Sequence, residues 1–365
     1  MRHTFILVIT TLLLSTAAYA QERLIDATDH SPISAASILD ASGNMVGFTL
    51  SDGEFTEIPE SAYPITIRCL GYEPLIIERP QNKAWEMTPK EYELEEVVIV
   101  PAERNILKQT LYIREHFSIT SKTDTLTEFT EHMAARFVPA TKDSKFSGST
   151  SVKLLGGRCI RRYKVAERDS IKVVKKPTSM ISILELSDDP VKTPESFKNQ
   201  DTPTKLYEVA GKSGKSLIQR QNANTFTTIV DLLAEKKGHS TSPWPFKLLG
   251  FTMDINQLYE THVYRVNDEG MYLPKDLIEA SFVIEAVGKG KYLRLALQSD
   301  KPVMVRMTIE MYVVDYDYLT KEEYKKEKKF KPENVDFVIP STVPSLDKAT
   351  ERLLQRAIDE KKLKK

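Results

Sequence analysis

The chain has 365 residues, 41% of them hydrophobic and 28% charged, with no low-complexity run; this is a globular composition long enough for two or three domains. Its 51 basic residues balance its 51 acidic ones, so no global field recruits nucleic acid or an acidic substrate.

The first twenty residues read as a cleaved export signal. Met1-Arg2-His3 is a short basic start, Phe5 to Leu14 an apolar stretch too short to span a bilayer, and Ala18-Tyr19-Ala20 a small-x-small cleavage site. Position 21 is Gln and not Cys, so the reading is an exported protein, periplasmic or outer-membrane-associated, and not a lipoprotein. Cys69 and Cys159 fall in different expected domains, a pattern that favours two buried thiols over a disulfide.

From Leu24 onwards short strands alternate with turns. Ile33 to Leu39 is followed by the turn Asp40-Ala41-Ser42-Gly43-Asn44, then by Met45 to Leu50 and a second tight turn, Ser51-Asp52-Gly53-Glu54, leading to Phe55. Ile65 to Leu70 alternates with period two, Gly71 breaks the run, and Leu75-Ile76-Ile77 resumes it.

The order Ile25-Asp26, Pro32-Ile33, Ala36, Gly43, Thr49, Asp52-Gly53, Phe55 and Leu70-Gly71-Tyr72, closed by Leu94 to Val100, resembles the carboxypeptidase-regulatory-like domain of exported Bacteroidetes proteins. Glu22-Arg23 stands where that family has the Gly of its opening strand. The resemblance implies an N-terminal prealbumin-like β-sandwich of about seven strands over 21–100. It also implies a docking role, because in the family this domain is a non-catalytic appendage without zinc ligands.

Beyond Pro101 the spacing predicts helices at 105–117 and 124–137, the second with Leu126, Phe129, Met133 and Phe137 on one face, within a helical linker region at 101–140. An α+β domain is expected at 141–345. It would contain strands on either side of Gly156-Gly157, a short helix at 224–235, and alternating strands at 278–286, 293–297 and 303–313 forming a largely antiparallel sheet on which the helices pack. Thr320-Lys321-Glu322-Glu323 is a capping box opening a charged helix, and 346–365 is a basic C-terminal helix.

No catalytic constellation emerges. His30, His116, His132, His239 and His262 form no His-x-x-Glu or His-Glu-x-x-His spacing that would gather zinc ligands. Gly211 to Ser216 is similar to a phosphate loop, but Val209 stands where the first Gly is needed, so the stretch reads as a Gly- and Lys-rich turn. No Gly-x-Ser-x-Gly elbow occurs, and Asp188-Asp189 and Asp315-x-Asp317 read as ordinary loop and strand-end charges. Lys325, Lys326, Lys328, Lys329, Lys361, Lys362 and Lys364 are basic enough for peripheral contact with an anionic membrane, or are simply solvated helix ends.

The sequence thus predicts a non-catalytic exported cell-envelope protein without cofactor. Its N-terminal sandwich would serve as a docking or scaffold unit and its α+β domain would bind an envelope protein partner, with no nucleic acid involved. A carrier of a lipid or other hydrophobic ligand is the first alternative, recognisable by an apolar pocket. A hydrolase with a site converging from distant residues is the second, recognisable by a cleft holding titratable groups of shifted pKa.

Overall fold

The structure, a computed structural model, describes residues 22–92, 101–181, 191–192, 205–210, 216–233, 240–241, 251–290, 302–330 and 339–360, less 82, 122–123, 142–143, 147–151, 176, 178, 180, 222–223, 268–269, 340 and 342. The export signal, the 94–100 segment, Asp188-Asp189, Gly211 to Lys215, His239, the 293–297 strand and Lys361, Lys362 and Lys364 lie outside these residues.

The N-terminal part holds six short strands. They are β1 (Arg23–Asp26), β2 (Ser37–Leu39), β3 (Met45–Phe48), β4 (Ile65–Arg68), β5 (Leu75–Ile77) and β6 (Ala84–Met87). β3-β2-β4-β5 form one sheet, and β1 pairs with β6 in parallel. The turns predicted from Gly are present: Gly43 (φ 78°) donates to Asp40, and Gly53 (φ 78°) donates to Leu50. Leu24, Ile38, Ile65, Ile67 and Ile77 are fully buried between the two sheets, with Phe55 beside them.

The rest of the chain overturns the expected architecture. Its strands are β7 (Ile106–Thr120), β8 (Thr125–Pro139), β9 (Lys153–Val165), β10 (Arg168–Val174), β11 (Val191–Lys192), β12 (Lys205–Ala210), β13 (Ser216–Gln221), β14 (Thr225–Asp231), β15 (Ser240–Thr241), β16 (Phe251–Arg265), β17 (Met271–Tyr272), β18 (Leu277–Gly290) and β19 (Val303–Leu319). They build one 11-stranded sheet in the order β10-β9-β8-β7-β19-β18-β16-β14-β13-β12, with β15 pairing on β16; β11 and β17 form a separate pair. All the pairings of the large sheet are antiparallel. The two α-helices among the described residues are α1 (Lys321–Lys329) and α2 (Lys348–Asp359). The protein is therefore predominantly β: an N-terminal sandwich of about seven strands followed by an α+β domain is not what forms.

The stretches expected as helices at 105–117, 124–137 and 224–235 are β7, β8 and β14. The physical reason is double-sided burial. In β8, Phe129, Met133 and Phe137 lie on one sheet face and Leu126 on the other, so two apolar faces superpose to imitate a helical stripe. Thr125, Thr127, Thr130 and Val138 supply the branched side chains that suit a strand.

Gly156-Gly157 likewise does not turn the chain; β9 continues through it, with a register shift against β8 between the Met133–Gly156 and Ala134–Leu154 pairs. A Cβ at Gly157 would sit 2.2 Å from His132 Nδ1 and 2.6 Å from the Glu131 carbonyl, so Gly admits the β8 strand at close range. Gly157→Ala is expected to cost about 2 kcal/mol by overpacking, read as a lower urea midpoint.

The large sheet has two unlike faces. One carries Ile113, Ile309, Met311, Ala280 and Phe282, all essentially buried, in a contiguous apolar cluster that includes Ile181, Leu233 and Tyr272. The other receives the N-terminal module, α1 and α2. Leu39, Met45 and Phe48 pack on Tyr259 and Val283; Tyr324 of α1 packs with Phe137 and Leu319; Leu353, Leu354 and Ala357 of α2 pack with Phe129, Ile160 and Ile171. The N-terminal module is thus seated directly on the sheet, and 106–139 belongs to that same sheet instead of forming a linker.

Candidate functional site

The seam between the N-terminal module and the sheet is where charge collects. Ser281, Glu310, Arg114, Glu131 and Arg158 lie in register across β18, β19, β7, β8 and β9, and so project from one face. Arg68, reaching down from β4, meets Glu310 at 2.6 Å, and both side chains are less than a tenth exposed. Tyr312 Oη donates to the same carboxylate at 2.9 Å. Lys90 pairs with the buried Glu279 at 2.8 Å. Glu131 takes the Tyr112 hydroxyl and the Arg158 guanidinium, while Arg114 donates to Tyr112 Oη at 3.0 Å and to the Pro344 carbonyl.

The titration behaviour follows from this packing. Burial alone would raise the Glu310 carboxyl, but Arg68, His116 and Arg114 outweigh it and hold it below the usual carboxylate range. Burial pushes Glu279 up, and Lys90 only partly offsets it. Asp347, the N-cap of α2, is likewise held low against its burial, by His116, by bonds from Thr350 and by Arg68. His116 is buried between these groups and against the Phe129 ring, and burial lowers it to about 4, so it is neutral at physiological pH.

Around Glu279 and Glu310 this cluster is tightly closed. The concavity beside Arg68, Glu279, Glu310 and Tyr312 has a volume near 20 Å³, room for about one water. A buried, ion-paired network of this kind clamps two elements together.

Among the described residues the histidines do not converge. His132 and His262 share the apolar face but are separated by four strand steps, roughly 19 Å along the sheet. His116 projects from the opposite face, and His30 is exposed beside Glu86. Among the described residues no group of His, Cys, Asp or Glu is placed to hold a metal ion. Asp315 bonds the Tyr316 amide and Asp317 lies 3.8 Å from Lys108. Cys69, half-buried, and Cys159, buried, are not joined in a disulfide, and burial pushes the Cys159 thiol up to about 12.

An open groove adjoins the clamp. About 310 Å³ in volume, it runs between the outer end of β4–β5 and residues 345–352. Pro64, Pro74, Ile76 and Leu346 give it apolar walls, Arg68 and Asp347 lie at its base, and Glu78, Lys348 and Arg352 rim it. Ile76, on the end strand of its sheet, is 51% exposed. The walls come from segments about 270 residues apart in sequence, so no local motif announces them. The available signal was a charge set inside an apolar strand: Arg68 after Ile65-Thr66-Ile67, and Glu310 between Ile309 and Met311.

The described helices include none long and apolar enough to cross a membrane. No protein-family model matches the chain, and no curated protein matches it. One similar solved structure is described as "lipid-protein interactions in lipovitellin", with a TM-score of 0.29 and 8% identity, covering 58% of this chain and 25% of that one. The chain spans about a quarter of that protein's length, and a likeness at this level carries no argument about fold or ligand.

Proposed function

We propose that this is a non-catalytic, exported cell-envelope protein. Its N-terminal module, clamped to the large sheet, docks an extended segment of an envelope protein partner in the groove between β4–β5 and the start of α2. The observation that carries this reading is the contrast between the two polar regions. The charges of the seam are spent on one another, whereas the adjoining groove is open and presents Ile76 to solvent between apolar walls and a charged rim. Such a site suits an aliphatic anchor with polar flanks. The carrier alternative would need the apolar sheet face to open, and Ile113, Ala280 and Ile309 are fully covered by the chain itself.

The test is site-specific photocrosslinking in the native envelope with benzoylphenylalanine at Ile76. A single adduct is expected, lost when Arg352→Glu is added and absent when the probe stands at Gln81 on the β1–β6 side. Absence of an adduct at Ile76, or the same products from both positions, would overturn the reading.

A further inference from the structure

Helix α1 carries more positive charge than its packing uses. Its buried side is Tyr324, whose ring meets Phe137 and Phe146 edge-on. Two of its three acids are turned to the protein: Glu323 closes the capping box with Thr320 and pairs with Arg104 at 3.1 Å, and Glu327 pairs with Lys108 at 3.0 Å. At the other end, Lys153 Nζ reaches across from β9 to the carbonyls of Glu327, Lys328 and Phe330. The helix C-terminus therefore already has its counter-charge, and the helix's own lysines are not needed for it.

Lys325, Lys326, Lys328 and Lys329 are exposed and form no ion pair among the described residues. Directly after them comes Phe330, 57% exposed, with Lys153 Nζ 5.9 Å from its ring centre. A large aromatic ring presented to water at the end of a lysine-rich helix, with the Lys153 ammonium beside it and Lys328 Nζ 5.9 Å from the Tyr324 ring, is a combination that folding alone does not call for. Because the whole chain is neutral, this charge is local and directional.

We infer that this tip of α1 is a contact surface for an anionic phospholipid bilayer. Phe330 enters the boundary between headgroups and acyl chains, and the lysine stems lie along the apolar layer while their ammonium groups stay among the phosphates. The surface is separate from the docking groove, so either assignment stands or falls without the other.

The test is flotation of the full-length mature protein with vesicles of phosphatidylcholine containing phosphatidylglycerol, against vesicles of phosphatidylcholine alone. Binding is expected only to the anionic vesicles and is expected to weaken with added salt. Lys328→Glu/Lys329→Glu should lower the partition coefficient roughly tenfold or more, with an unchanged circular dichroism spectrum. Phe330→Ser should weaken binding while leaving its salt dependence intact, and removal of residues 361–365 should leave most of it in place. Equal binding to both vesicles, no binding to either, undiminished binding in the lysine variant, or loss with the 361–365 tail alone would each overturn the inference.

Discussion

Arg68→Met is expected to destabilise the protein by about 3–5 kcal/mol, a large part of the 5–15 kcal/mol that holds a typical domain folded. The loss comes less from the missing attraction than from what is left behind. Glu310 would remain buried with Tyr312 as its hydrogen-bond donor and no cation in contact. Replacing both partners, Arg68→Met with Glu310→Met, removes the stranded charge and should recover much of the loss. Urea unfolding of the two single variants and the double variant measures this directly. A double variant as unstable as the sum of the singles would show that the pair is not an energetic unit. Because Arg68 belongs to the small N-terminal sheet and Glu310 to the large one, the same experiment reports how far the clamp seats one on the other.

Acid is expected to unfold the protein in two stages, and the first should begin unusually early. His116 is held neutral in the folded state down to about pH 4, whereas in the unfolded chain it takes up a proton near pH 6.5. Between those values the unfolded state binds more protons, so stability rises with pH and falls as the solution is acidified, by about 3 kcal/mol across the window. Glu310 and Asp347 have depressed pKa values; the stability they contribute is present above their unfolded values and disappears as the pH drops through the folded ones. Glu279, raised by burial, works in the opposite direction, because its protonation favours the folded state. His116→Leu should therefore flatten the stability profile between pH 6.5 and 4 and lessen the loss below it, because His116 also helps to hold Glu310 and Asp347 low. Parallel profiles for the two proteins, from urea midpoints at stepped pH, would place the early acid sensitivity elsewhere.

How much of this was legible beforehand depended on the range of the interaction. Gly43 and Gly53 with their Asp neighbours specify tight turns through their own backbone preferences, and both turns form. Thr320 and Glu323 cap α1 from three residues apart, as their spacing requires. The alternation of 278–286 and 303–313 matches β18 and β19, since period two is a property of the strand itself. Where the surroundings decide, the reading failed. β7 and β8 are apolar on both faces because the N-terminal module and the two helices cover one side and the apolar cluster the other, and that arrangement erases the alternation by which a strand is recognised.

By itself, then, the sequence determined the neutral globular composition, the N-terminal turn chemistry, the two helices and the long alternating strands near the end, because each is written in neighbouring residues. Only the tertiary structure decided that eleven strands between Ile106 and Leu319 join one antiparallel sheet, that the N-terminal module is clamped to it, and that Arg68 lies against Glu310 and Lys90 against Glu279. The reason is physical: sheet pairing and buried ion pairs join residues up to 242 positions apart, and their free energy depends on a burial that no local window of sequence contains.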